Sequence, residues 1–362
     1  FAAIGALAAQ LFDSRRRAAT WAGIALALSL MLRVAADGTR TLGWIRWTTP
    51  LGWIENVRPF GGTNLVALIP LSVSIVAAVT GALVLRARRD QGAGALGLEE
   101  AAARRTRLLT GPEGLALLSG RTAAVTWTLA VGAFAFVFGL LAKGVSEFIE
   151  EGEGFEEILR RFGGSGILSA AGFLGLIYSA FIVIVLVVYA GTQISAMREE
   201  EATGRLDNVL VHPVGRARWL ATRGMVAVVG AVVVAVVASL AMWAGAAAAG
   251  SSVSLWGQVR AALNCLPVVA LFLGIGLLAF GFVPRLTAAI TFGLVTVAYL
   301  IQLIGAIVDA PDWVLDLSPF HHVAAVPIVP ANVGAALAML AAALIAIVAG
   351  TAAWLRRDIA LA

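Results

Sequence analysis

The side chains able to do chemistry in this sequence are few, and none falls into a catalytic spacing. Lys143 is the only lysine among 26 Lys and Arg residues and is not followed by Ser or Thr, so the chain holds no P-loop to cradle nucleotide phosphates. Cys265 is the single cysteine and lies in an apolar run, which excludes an intrachain disulfide and a paired-thiol metal site. His321 and His322 adjoin Pro319 in a loop and read as interfacial residues, while His212, ahead of Pro213, reads as a helix-ending one. The apolar segments beyond residue 121 carry no Asp, Glu, Lys, Arg or His away from their ends. That leaves no carboxylate pair, no Ser/His/Asp set and no metal cluster. It also counts against an ion-coupled carrier, whose relay needs ionisable groups inside the membrane. No catalytic residue, cofactor-binding residue or metal ligand is expected in this chain.

Polar residues gather instead in one passage, residues 198–223, REEEATGRLDNVLVHPVGRARWLATR, framed on both sides by membrane-length apolar runs. Leu206, Val209, Leu210 and Pro213 fall at i, i+3, i+4 and i+7, which predicts a short helix with a narrow apolar ridge. Glu199, Glu200 and Glu201 stand at its start, where negative charge suits the helix dipole, and Arg216 and Arg218 follow Pro213. Thr203 and Gly204 allow a bend between this piece and the helix before it. An amphipathic knob of this kind either lies on the bilayer or plugs into a groove on a partner, and the residues alone leave both open.

The elements that must position this passage follow from composition. With 60% hydrophobic residues, 13% charged residues and a mean hydropathy of +0.93, the chain is expected to be an all-α polytopic membrane protein. The net charge of +5 comes from arginines clustered between apolar runs, so no nucleic-acid partner is implied. Apolar segments are expected near 18–36, 65–85, 122–142, 166–196, 224–248, 262–282, 286–308 and 333–354, with 1–12 too short to cross a bilayer. Residues 108–118 read as a lead-in helix on the membrane surface, and the acidic stretch 143–165 as an interfacial helix interrupted by Gly152 and Gly154. Trp44, Trp47 and Trp53 suit a membrane interface. Placing linker 91–120 and residues 198–223 on one side gives a single alternating path that also collects most of the arginines there. By the positive-inside rule that side, and the C-terminus with it, is cytoplasmic.

The sequence also repeats. At an offset of 269, Gly5 matches Gly274, Arg16 matches Arg285, Trp44 matches Trp313, Pro50 matches Pro319 and Val57 matches Val326. After a one-residue gap, Asn64 matches Asn332, and Arg88, Arg89 and Asp90 match Arg356, Arg357 and Asp358. Residues 1–90 thus read as the C-terminal part of a first repeat, 91–120 as a cytoplasmic linker with the lead-in helix, and 121–362 as a complete second repeat. The chain opens on Phe1 with no Met and no charged stretch before the apolar run, so no signal peptide is read. The native chain is expected to begin about 150 residues earlier and to hold roughly twelve helices in two six-helix halves.

The run Glu201, Thr203, Gly204, Arg205, Leu206, Leu210, Pro213 and Arg216 resembles the glutamate, glycine, leucine, proline and arginine pattern between the second and third helices of ABC-2 type exporter permeases. Gly215 stands where that family commonly has Ser. The doubled, Ala-, Val- and Arg-rich form is most similar to actinobacterial permeases that export polyketide or polyether antibiotics. The resemblance implies two six-helix halves of the type V exporter kind, the first truncated here. It also implies a separate ABC ATPase subunit in two copies, which binds the ATP and Mg that this chain does not. Glu200 or Glu201 would then meet a basic site on that ATPase, with Leu206, Leu210 and Pro213 filling its groove and Glu199, Gly204, Arg205 and Arg216 completing the coupling passage. Tyr178, Phe181, Val185 and Tyr189 on 166–196, and Phe292, Thr296, Tyr299 and Gln302 on 286–308, would either face a central cavity for a hydrophobic small molecule or serve as packing and lipid contacts. The same fold could export a lipid or polysaccharide precursor. An ion-coupled efflux carrier and a non-transporting scaffold are the readings from other classes.

Overall fold

Long Ala-, Val- and Leu-rich runs must satisfy their backbone polar groups internally when water is excluded, and the helix does so within one segment. The computed structural model of the chain describes residues 1–12, 15–38, 40–58, 64–87, 111–151, 169–308 and 310–357, and among these every regular element is helical. Among the described residues, seven helical segments are long and apolar enough to cross a membrane. The chain divides into two units, Phe1–Arg105 and Thr106–Ala362.

The first unit holds α1 (Ala2–Leu11), α2 (Arg15–Gly38), α3 (Pro50–Val57) and α4 (Leu68–Ala87). The side chain of Leu7 on α1 lies close against Gly81 on α4, and Phe12 stacks on Trp21 at 5.8 Å. Thr49 caps α3 by accepting from the Gly52 N–H at 3.2 Å, and Arg33 pairs with Glu55 at 2.8 Å. The helix α4, extended at its start by the turn Leu65–Ala67, meets the length and hydropathy of a span.

The second unit holds α5 (Pro112–Glu151), α6 (Ala170–Ala202), α7 (Arg205–Leu210), α8 (Arg216–Ala248), α9 (Leu255–Asn264), α10 (Leu266–Phe282), α11 (Thr287–Ile307), α12 (Asp312–Leu315) and α13 (Val333–Arg356). Lipid is as apolar as a leucine side chain, so helices here gain little from burying leucine and pair through close backbone approach at small residues. Two glycines show this on the α5–α8 seam: a Cβ on Gly139 would strike the Met242 carbonyl, and one on Gly245 the Phe136 carbonyl. On the α10–α13 seam, Gly281 and Gly350 meet backbone to backbone. The most deeply packed spans are the α9–α10 run, 61% buried over its apolar window, and α6, at 50%.

Three expectations change. The lead-in helix expected over 108–118 is, from Pro112 onward, the first part of α5, which continues unbroken through the 122–142 segment to Glu151; no proline stands between them, and the single Gly120 is tolerated within the helix. The 262–282 segment begins earlier, at Leu255, where Ser254 caps α9, and its helix changes course at Cys265 ahead of Pro267. The middle of α6 is a π-helical turn, Tyr178–Ile182, which no sequence signal announced. Most of the acidic stretch expected as an interrupted interfacial helix, 152–165, lies outside the described residues.

Elements of the two units correspond at the repeat offsets. Arg15–Gly38 shifted by 269 falls on 284–307, the span of the turn Pro284–Leu286 together with α11. Asn64 accepts from the Val66 N–H at 3.2 Å at the head of the α4 segment, and Asn332 accepts from the Ala335 N–H at 3.0 Å at the head of α13. The correspondence lapses at α3, whose counterpart 319–326 runs in turns.

Candidate functional site

The passage 198–223 forms an elbow at one end of the second unit, between α6 and α8. Its bend is made by Gly204, whose φ of +69° lies in the left-handed region where a Cβ is disfavoured. Beyond it α7 is six residues long, and Pro213 with the adjoining turn leads into α8.

The structure places the three glutamates differently from the dipole expectation. Glu199, Glu200 and Glu201 belong to the last turn of α6, because the helix runs on to Ala202 and stops only at Gly204. They sit at a helix C-terminus, the end that favours cations, so each carboxylate needs a positive partner. Each has one within the chain. Glu199 pairs with Arg205 at 3.3 Å. Glu200 pairs with Arg223, which also donates to the Ser119 hydroxyl at 2.6 Å. Glu201 takes both of its hydrogen bonds from one nitrogen of Arg357, at 2.8 and 3.0 Å, and its side chain is 0% exposed. A fourth pair, Arg218 with Glu113 at 2.8 Å, ties the start of α8 to the start of α5.

The apolar ridge is likewise turned inward. Leu206 is fully buried in the helical core, and Val209 and Leu210 pack against that core. A short helix lying on a bundle satisfies its apolar face on its own chain first. What remains exposed is the tip: Val211, at 81% of its surface, with His212 and Pro213. Leu206 therefore cannot fill a partner's groove in this conformation, nor can Glu201 meet a partner's cation, and Leu210 offers a partner only part of its surface. Pro213 and Arg205 are exposed, and Arg216 donates to the Arg357 carbonyl at 3.1 Å.

The aromatic stripes are mostly packing. Tyr178 and Tyr189 are buried; Tyr189 meets Trp127 edge-on at 6.1 Å, and its hydroxyl occupies the space beside Gly230. Phe181 is 45% exposed and stacks on Phe138 at 6.4 Å; it lies within the π-helical turn, and Val185 lies in the α-helical stretch that follows. Phe292 fills the notch at Gly191, so α6 and α11 are in contact. Thr296 is spent on the Phe292 carbonyl at 2.8 Å, and Tyr299 meets Phe320 edge-on at 5.7 Å. The Gln302 Oε1 is buried without a partner. Two open pockets lie elsewhere. One, of about 420 Å³, includes Ser169, Ser251, Ser254, Trp256 and Arg260; the other, of about 460 Å³, includes Leu271, Asp316, His322 and Met339. None of the stripe residues lines either. Asp316 has His321 at 4.0 Å, and its carbonyl has the His322 Nε2 at 3.1 Å.

The fold and the elbow define an all-α, multi-pass membrane protein with an ion-paired polar bend between two spanning helices. Residues 109–355 match the family described as multidrug efflux system permease Rv1217c, C-terminal domain, and the chain belongs to that family. It is 30% identical over 328 residues to the multidrug efflux system permease protein Rv1217c of Mycobacterium tuberculosis (strain ATCC 25618 / H37Rv), a match covering 89% of this chain. The same match covers 58% of that relative's length.

Proposed function

We propose that this chain forms the permease part of an ATP-driven exporter of hydrophobic small molecules. The elbow 199–213 is its docking point for a separate ATPase, which carries the ATP and Mg. The observation that carries this reading is the tip, where Val211, His212 and Pro213 stand exposed on a bend braced by the surrounding Arg–Glu pairs. An apolar valine projecting from a polar rim is the kind of knob a partner's groove receives, and a braced bend passes a push on its tip to α6 and α8. The relative's name, a multidrug efflux permease, supports the drug-export class.

The same reading places the elbow and the C-terminus in the cytoplasm of a cell-membrane protein, and takes the ATPase as two copies, one for each half of a doubled permease. The matching helix ends and the paired asparagine caps support the doubling.

Co-purification tests the central point. The full-length protein, extracted in mild detergent, should bring down a Walker-containing ATPase, and Val211→Glu should release that partner while leaving the melting temperature of the permease unchanged. Retention of the partner by Val211→Glu, or no ATPase with the parent protein, overturns the reading.

A further inference from the structure

We propose that Arg357 is a positioning residue which locks the elbow to the end of α13, so that movement of the tip reaches α10 and α13 as well as α6 and α8. The inference rests on the exporter reading but concerns residues which that reading leaves without a role. The Arg, Arg, Asp motif marks the end of both sequence repeats, and of its second copy Arg356 is exposed while Arg357 is turned into the protein.

Arg357 reaches three other helices at this end. Its guanidinium bonds both oxygens of the buried Glu201 on α6 and lies 5.8 Å from the ring centroid of Phe280 on α10. Its carbonyl accepts from Arg216 at the start of α8. Trp354, one turn earlier on α13, stacks on Trp219 of α8 at 5.4 Å and on Phe280 at 6.0 Å. A carboxylate at a helix C-terminus is disfavoured by the dipole, and burial disfavours it further. Its retention there fits a specific joint better than a contribution to stability, since a buried ion pair gains little over apolar packing. A cation at the end of α13 and a carboxylate at the end of α6 can satisfy each other only while those ends stay together. The two helices therefore shift as one body.

Arginine's planar fork and its stacking on Phe280 fit this site better than a point charge. The test uses the full-length protein in cells, with rhodamine 6G efflux, membrane abundance and melting temperature as readouts. Arg357→Gln should lower efflux per folded molecule in the membrane about tenfold, the scale on which coupling residues act, beyond whatever loss of folded protein follows from stranding the Glu201 carboxylate. Arg357→Lys should recover part of the loss, and the exchanged pair Glu201→Arg with Arg357→Glu should exceed either single change. Unchanged efflux in Arg357→Gln overturns the proposal, as does a loss fully matched by loss of folded protein. Should the parent protein show no efflux, the exporter reading fails by itself. The joint then rests on maleimide labelling of Leu206→Cys, buried in the parent. Arg357→Gln should accelerate that labelling, and an unaltered rate overturns the joint.

Discussion

Glu201 concentrates the residue-scale physics of this protein. Removing one partner of a buried ion pair strands the other charge and costs about 3–5 kcal/mol, whereas a solvent-exposed pair such as Glu199–Arg205 contributes about 0–1 kcal/mol. Glu201→Ala is therefore expected to lower the melting temperature of the purified protein by many degrees, and Glu199→Ala to leave it nearly unchanged. Calorimetry in detergent distinguishes the two. The sequence marked all three glutamates alike because their order along the chain carries no sign of burial. Only the arrival of Arg357, 156 residues later in the chain, separates them.

At the scale of elements, the elbow depends on Gly204 and the bundle on its glycine seams. A residue with a Cβ in the left-handed region costs about 1–2 kcal/mol, more for a branched side chain, so Gly204→Val should destabilise the bend and disturb α7 before it disturbs the spans. Hydrogen exchange confined to 199–214 would report that outcome. Gly245→Val places a branched side chain on the Phe136 carbonyl, which backbone cannot yield to, and should deplete folded protein from the membrane. Quantitative blotting of the membrane fraction checks it. The seams could not be read in advance, because the chain holds 39 glycines and spacing alone does not say which of them face another backbone.

For the whole molecule, sidedness is the open prediction and is directly measurable. The one thiol of residues 1–362, Cys265, is buried and free, so it adds little background to the labelling of cysteines introduced here. A membrane-impermeant maleimide added to intact cells should label Ser252→Cys and spare Val211→Cys, which should react only after permeabilisation. The reverse pattern would place the elbow outside and defeat its docking to a cytoplasmic ATPase.

Much of the architecture was legible in one dimension. Apolar run length announced most of the spans, because a bilayer sets a minimum length and every backbone amide within it must bond inside its own helix. The bend at Gly204 was legible for a similar reason, since glycine is the residue that adopts a positive φ freely. Tertiary structure decided the rest. It turned the ridge of Leu206, Val209 and Leu210 inward, put Tyr178 and Tyr189 into packing, and left Val211 and Pro213 as the exposed tip. Periodicity shows that a helix has an apolar face, but whether that face meets its own bundle, lipid or a partner depends on what the fold brings beside it.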